Sequence, residues 1–185
     1  PLNMSTLTLH HYLEREERLH EMDPKLAPVL LSIADACKSI SHLVRRGALE
    51  GVLGLAGTEN VQGEDQKKLD VISNEIFVDA LVNSGAVCGL VSEEVSEPIS
   101  VPADLPIGPY QVAFDPLDGS SNIDINVSIG SIFSVTLAGR PKRECVPEDF
   151  LQPGTEQRAA GYCMYGPQTQ LVITLGHGVA MFTLD

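Results

Sequence analysis

Val112-Ala-Phe-Asp115-Pro116-Leu117-Asp118-Gly119-Ser120-Ser121-Asn122-Ile123-Asp124 is an apolar run that stops in two carboxylates three residues apart and passes into a Gly-Ser-Ser turn. The pattern predicts a strand over Tyr110 to Phe114 whose end carries hard oxygen donors. The fixed φ of Pro116 predicts a turn that brings Asp118 back beside Asp115. Two anions this close repel each other unless a cation lies between them. Oxygen donors without a neighbouring His or Cys suit Mg²⁺ or Mn²⁺ rather than zinc. Backbone N–H groups around Gly119, Ser120 and Ser121 point outward from such a turn and can cradle phosphate oxygens. The plain alternative is an Asp-Pro turn with a capping Asp, because turns are rich in these residues.

Working outward, Ala86 to Val91 is a second short apolar run, and it ends in Ser92-Glu93-Glu94 just as the first ends in Asp115. Ligands of open α/β sheets collect at the carboxyl ends of strands, so two neighbouring strands with acidic ends would share one site. Val127, Ile129, Phe133, Val135 and Leu137 keep odd-numbered spacing, which predicts a half-buried strand. Leu171 to Leu175 and Val179 to Leu184 flank Gly176-His177-Gly178, a predicted hairpin.

Helical patterns precede these strands. Leu7 to His20 reads as a short amphipathic arm or helix. Asp23-Pro24 reads as an N-cap with proline at N1, followed by Leu26, Val29, Leu30, Ile33, Cys37, Ile40 and Val44 at helical spacing as far as Gly47. Gly51 to Gly63 is rich in glycine and is expected to be a mobile loop. Glu64-Asp65-Gln66 would place negative charge on the first turn of a second helix, with Leu69, Ile72, Ile76 and Ala80 as its stripe and Asp70 off the stripe's centre. Glu97 to Pro109 and Arg140 to Gly154 read as irregular connectors. The expected class is α/β, a layered α+β arrangement in which helices flank a mixed β-sheet.

A formal charge of −13 disfavours nucleic acid and anionic membrane as partners. It also means that an anionic substrate would need cations to approach. No apolar run of about 18 residues is read as a membrane span. The first residues, Pro1-Leu2-Asn3-Met4-Ser5, lack the basic and apolar regions of a signal peptide. A cytoplasmic location is expected, or a plastid one after removal of a transit peptide. Cys37, Cys88, Cys145 and Cys163 are scattered without a CxxC and read as reduced, mostly core residues. His42 and His177 have no ligand partner at a usable spacing, and Lys67 and Lys68 read as a solvated face. The chain stops at Asp185 directly after an apolar run, as expected for part of a larger protein.

The undecamer Phe114 to Asp124 resembles the signature of the fructose-1,6-bisphosphatase family, among the metal-dependent, lithium-sensitive sugar and inositol phosphatases. The resemblance runs from about Leu26 to the last residue. It is densest over Asn60 to Asn74, Val91 to Glu94 and Ala159 to Gly166. It implies a sugar phosphatase fold, with residues 1–185 as an N-terminal metal- and phosphate-binding domain and a sugar-binding domain beyond 185. It further implies that Glu93, Asp115 and Asp118 hold the metals, with the Leu117 carbonyl as an added ligand. Gly119 and Ser120, flanked by Asp118 and Ser121, would receive the 1-phosphate, and Asp70 with Glu94 would activate the attacking water. Glu64 or Asp65 would reach a further metal, with Glu64 favoured by its position after the glycine. Charge at a helix start would by itself account for Glu64, Asp65 and Asp70.

The activity so implied is Mg²⁺-dependent hydrolysis of the 1-phosphate of fructose 1,6-bisphosphate to fructose 6-phosphate and phosphate, by a homotetramer of gluconeogenesis or the Calvin cycle. Sedoheptulose-1,7-bisphosphatase and inositol monophosphatase are the rivals within the same chemistry. A regulatory or interaction domain that keeps the metal site without turnover is the rival of another kind. Pro109-Tyr110 stands where members inhibited by AMP carry Lys-Tyr, so AMP control is not expected. Cys145 stands alone in the short Arg140 to Pro153 segment, so activation through a disulfide there is not expected either.

Overall fold

The structure, a computed structural model, describes residues 7–50, 55–59 and 65–185. The first helix, α1, spans Leu9–His20 and is capped by Thr8, whose side chain accepts from the His11 N–H. The expected arm is therefore a helix. Tyr12 of α1 sets its ring edge-on to Phe182, and His20 stacks on His177 with ring centroids 4.4 Å apart.

The second helix, α2, spans Leu26–Glu50. Its expected cap is displaced: Asp23 Oδ1 accepts from the Lys25 N–H at 2.9 Å and Asp23 Oδ2 from the Tyr110 hydroxyl at 2.8 Å, so Pro24 and Lys25 form a turn before the helix. At the other end α2 continues through Gly47 to Glu50. The predicted line Leu26, Val29, Leu30, Ile33, Cys37 and Ile40 is buried, while Val44 is half-buried. Leu26–Arg46 is, by length and composition, apolar enough to cross a membrane, which corrects the sequence expectation. Its apolar line instead lies in the core. Ser41 is hydrogen-bonded to Thr169, and Arg45 reaches the same hydroxyl at 3.2 Å.

Within the expected loop, Leu55–Glu59 forms strand β1 and pairs antiparallel with β2, Asp65–Lys67. Glu64 and the rest of the loop lie outside the described residues. The next helix, α3, is Lys68–Val82, so Asp65 belongs to a strand and Asp70 is the acid in the helix's first turn. Its buried face is Leu69, Asp70, Ser73, Phe77, Leu81 and Val82. The predicted stripe is thus rotated, and Asp70 lies on the buried side rather than off it. Lys68, Glu75 and Asp79 form the exposed face of α3, while the polar Asp70 and Ser73 lie on the face packed against α2 and the sheet, so apolar periodicity alone misplaces the inner face.

Seven strands form one sheet in the order β4-β3-β5-β6-β7-β8-β9. They are β3 (Val87–Ser92), β4 (Ile99–Ser100), β5 (Tyr110–Asp118), β6 (Ile129–Leu137), β7 (Gln157–Tyr165), β8 (Thr169–Thr174) and β9 (Val179–Thr183). The connector after Glu97 thus contains the short strand β4. Among the described strands only β3 and β5 pair in parallel. Helix α3 lies against β3 and β5, and α2 against β7 and β8. In β6 the buried positions are Ile129, Ser131, Phe133 and Val135, with Leu137 exposed. The mixed, helix-flanked sheet is the class expected from the sequence.

Candidate active site

Strands β3 and β5 run side by side, with Ser92 opposite Phe114, so their acidic ends emerge together. The pairing extends one residue past β3, where the Glu93 N–H donates to the Phe114 carbonyl at 3.1 Å. Glu94 is buried, and its N–H donates to Ser92 Oγ at 3.2 Å. That hydroxyl donates in turn to Asn74 Oδ1 of α3 at 2.7 Å. One serine therefore ties the backbone of Glu94 to the helix that carries Asp70.

The end of β5 is built differently from the expected turn. The strand runs straight through Pro116, and Asp115 and Asp118 pair with Ile132 and Gly130 of β6, three steps against two. The extra residue is a β-bulge, and proline, having no N–H to give the ladder, fits there. Asp115 Oδ1 accepts from the Leu117 N–H at 3.0 Å. The Leu117 side chain is in the core, which leaves only its backbone to face a metal. Ser131 Oγ donates to the Pro116 carbonyl at 2.7 Å, and the Tyr165 hydroxyl lies 2.6 Å from Ser131 Oγ. Two neighbouring strands thus brace the bulge from beneath.

Beyond the bulge, Gly119 has φ of 79°, in the left-handed region that favours glycine. A Cβ there would meet nothing closer than 3.7 Å, so backbone conformation rather than space demands the glycine. The chain then enters a 3-10 turn, Ser120–Ile125, and Ser120 Oγ donates to Asp70 Oδ2 at 3.0 Å. This contact joins two groups assigned to one site, 50 residues apart in sequence.

Asp70 is 2% exposed and Glu94 8% exposed, whereas Asp118 and Ser121 are exposed and Glu93 and Asp115 half-buried. Burial raises the Asp115 carboxyl to about 6, opposed by the Leu117 N–H and reinforced by the negative charges of Asp118, Glu94 and Asp70. Four of the predicted acids therefore share one electrostatic neighbourhood. Glu93 and Asp115 also line a cavity of about 880 Å³ along the sheet, whereas Asp118 and Gly119 line a separate groove of about 430 Å³.

Among the described residues, no three Asp, Glu, His or Cys side chains converge closely enough to form a finished metal cage. The expected convergence of ligands on one point is accordingly partial. In donor chemistry the cluster suits a divalent cation: the groups are carboxylates, burial and mutual repulsion oppose their ionisation, and a cation would relieve both. Glu64 lies outside the described residues, and Asp65 is placed only as a strand residue opposite Glu59.

Asn74, Ser131 and Tyr165 were not singled out from sequence. Two signals point to the first two: Asn74 stands four residues after Asp70 on one helix, and Ser131 interrupts the apolar series Ile129, Phe133, Val135. Replacing Ser131 with Ala leaves the Pro116 carbonyl without this hydroxyl in a buried setting. A loss of about 1–3 kcal/mol is expected, read as a lower urea midpoint with an unchanged denaturant slope. An unchanged midpoint would show that the bulge does not depend on this brace.

Residues 5–185 match the family described as "Fructose-1-6-bisphosphatase, N-terminal domain". The crystal structure of Leishmania major fructose-1,6-bisphosphatase in holo form is similar with a TM-score of 0.86 at 39% identity, covering 96% of this chain and 55% of that one. The apo form of the same protein gives a TM-score of 0.78 at 37% identity, covering 96% and 53%. The chain therefore spans about half the length of these solved relatives. A match over nearly every residue, on a fold that brings the acidic strand ends beside Asp70, establishes that the chain belongs to the fructose-1,6-bisphosphatase N-terminal domain family.

Proposed function

We propose that this chain is the metal- and phosphate-binding part of an enzyme that hydrolyses the 1-phosphate of fructose 1,6-bisphosphate, giving fructose 6-phosphate and phosphate. One observation carries the reading: the parallel ends of β3 and β5 meet the start of α3, so that Asp70, Glu94, Asp115 and Asp118 form one acidic cluster with Ser120 tied to Asp70. Family membership and the structural likeness to the Leishmania enzyme support the same reaction.

Glu93, Asp115, Asp118 and the Leu117 carbonyl would hold Mg²⁺, with Mn²⁺ as a substitute. When bound, such ions offset phosphate charge and lower the pKa of water. The chain's own groups supply the rest. The positive φ of Gly119 turns the backbone at the 3-10 entry, where the N–H groups of Gly119 and Ser120 would receive phosphate oxygens with Ser121 beside them. Ser120 Oγ–H holds Asp70 Oδ2 in place, and Ser92 fixes the backbone of Glu94. A carboxylate pair held in this way can take the proton of an attacking water.

The sugar and its 6-phosphate would be met by residues outside these 185, in line with the half-length coverage of the relatives. A tetramer and a cytoplasmic location belong to the same proposal. A second reading, a regulatory or interaction domain that keeps the metal site without turnover, is favoured by the chain's spanning only about half the length of its solved relatives.

Phosphate release from fructose 1,6-bisphosphate and from sedoheptulose 1,7-bisphosphate, by this chain and by a longer form of the protein, separates the readings. Turnover by neither form on either sugar would favour the second. In a form that turns over, Asp118→Asn is expected to lose more than about 100-fold in kcat, the upper end of what a lost outer-sphere group costs a metal site. The thermal midpoint should hold, because Asp118 is exposed. Near-wild-type turnover at saturating Mg²⁺ would remove Asp118 from the ligand set.

A further inference from the structure

Beneath the acidic strand ends, a line of hydroxyls links β7, β6 and β5. The Pro116 carbonyl sits in the β5 bulge, and the hydroxyl of Ser131 on β6 donates to it at 2.7 Å. Ser131 is 0% exposed and Tyr165 on β7 is 5% exposed, with 2.6 Å between their hydroxyl oxygens. A serine has one hydroxyl proton, and that of Ser131 is committed to Pro116, so the Tyr165 hydroxyl is the donor of the second bond. The protons are therefore ordered from Tyr165 to Ser131 to Pro116. The strands beneath are also tightly set: a Cβ on Gly130, the β6 residue opposite Asp118, would lie 2.7 Å from the Cys163 carbonyl of β7.

We propose that Tyr165 is a positioning residue that tunes the cation preference of the acidic strand ends toward Mg²⁺. The inference rests on the reading of Asp115, Asp118 and the Leu117 carbonyl as cation ligands. These groups belong to the bulge, and Pro116 lies among them. A hydroxyl that itself accepts a hydrogen bond is polarised and gives a stronger one, so the Tyr165 proton tightens the hold of Ser131 on Pro116. Both hydroxyls are buried, so bulk water does not compete for either bond. Asp115 Oδ1 is tied from within the bulge by the Leu117 N–H at 3.0 Å. The stretch from Asp115 to Asp118 is thus held at side chain and at backbone.

Such rigidity matters unequally to different ions. Mg²⁺ requires near-ideal octahedral geometry at about 2.0–2.1 Å, whereas Ca²⁺ accepts oxygens at about 2.3–2.6 Å in flexible arrangements. A carbonyl and two carboxylates held on one braced bulge suit the first ion. A bulge free to adjust loses that advantage and still suits the second. Tyr165 is not among the ligands, so its effect passes through Ser131 alone.

The test measures Mg²⁺ and Ca²⁺ binding to the 185-residue chain by isothermal titration calorimetry, with the thermal midpoint in EDTA recorded alongside. In Tyr165→Phe the Kd for Mg²⁺ should rise about 10-fold or more, the range for lost outer-sphere partners. The Kd for Ca²⁺ should change by less than about threefold. Ser131→Ala should weaken Mg²⁺ at least as much. The double variant Tyr165→Phe/Ser131→Ala should bind Mg²⁺ no more weakly than Ser131→Ala, because the two hydroxyls act in series. Ile173→Val, a core change on β8, should lower the midpoint in EDTA and leave both constants as in the wild type. The proposal is overturned if Tyr165→Phe binds Mg²⁺ as the wild type does, if both ions weaken equally, or if the double variant multiplies the two single losses. A wild-type chain that binds neither ion overturns the reading of the acidic ends as a cation site, and the proposal with it. Binding of both ions with no effect at Tyr165 leaves that reading standing and removes the proposal alone.

Discussion

Replacing Asp115 with Asn should raise the thermal midpoint of the metal-free chain at pH 7 and, in the same molecule, abolish the stabilisation that Mg²⁺ gives. The first effect follows from linkage. Burial and the charges of Asp118, Glu94 and Asp70 lift the Asp115 carboxyl from 3.8 to about 6. A group whose folded pKa is raised favours the folded state fully below its unfolded pKa, and that contribution is lost as pH rises through the folded value. Here the window lies between 3.8 and about 6. At pH 7 the ionised Asp115 therefore opposes folding, by about 1–2 kcal/mol once solvent screening of this half-buried group is allowed for. Asn keeps the Oδ1 that accepts from the Leu117 N–H and removes the charge. The second effect follows because a cation that relieves the repulsion binds the folded chain better than the unfolded one. Calorimetric scans in EDTA and in excess Mg²⁺, at pH 5 and pH 7, read both effects. If the variant melts lower than the wild type in EDTA at pH 7, the acidic cluster is not a source of instability and the charge argument fails.

The second large effect is expected at Phe77. Its ring is fully buried and stacks on Phe114, with centroids 5.0 Å apart and planes at 14°. This contact joins α3, which carries Asp70 and Asn74, to β5, which carries Asp115 and Asp118. Phe77→Ala should cost about 3–5 kcal/mol from lost burial and the cavity left behind. That is a large part of the 5–15 kcal/mol that holds an ordinary domain, so the urea midpoint should collapse. Phe77→Leu should retain most of the stability yet loosen α3 against β5. In a form that turns over, kcat should then fall more than KM rises, because Asp70 rides on α3 while the phosphate turn does not. An unchanged kcat in Phe77→Leu would show that the placement of α3 is set by other contacts.

Much of the site was legible because its residues cluster in sequence. Asp115 to Ser121 form one stretch, and Ser92-Glu93-Glu94 close another apolar run, so the spacing alone predicted two strands with acidic ends. That these strands are parallel neighbours is a fact of the sheet; the rule that ligands gather at carboxyl strand ends says only that their acidic ends meet if the strands are neighbours. The conformation at Pro116 was not legible. Asp-Pro-Leu-Asp reads as a turn by local propensity, but pairing with β6 across seven registered residues outweighs that preference and leaves a bulge. Propensity is decided by a few tenths of a kcal/mol per residue, and ladder and core contacts exceed it.

By itself the sequence determined the kind of chemistry: hard carboxylate donors, a glycine whose conformation frees backbone N–H groups, and a net charge of −13 that disfavours nucleic-acid partners. It also determined the buried line of α2, since one apolar face at regular spacing leaves one way to pack. Only the tertiary structure decided which side of α3 faces inward, because the polar Asp70 and Ser73 on that side hide it from apolar periodicity until α2 and the sheet enclose it. That enclosure places Asp70 on Ser120 and Asn74 on Ser92.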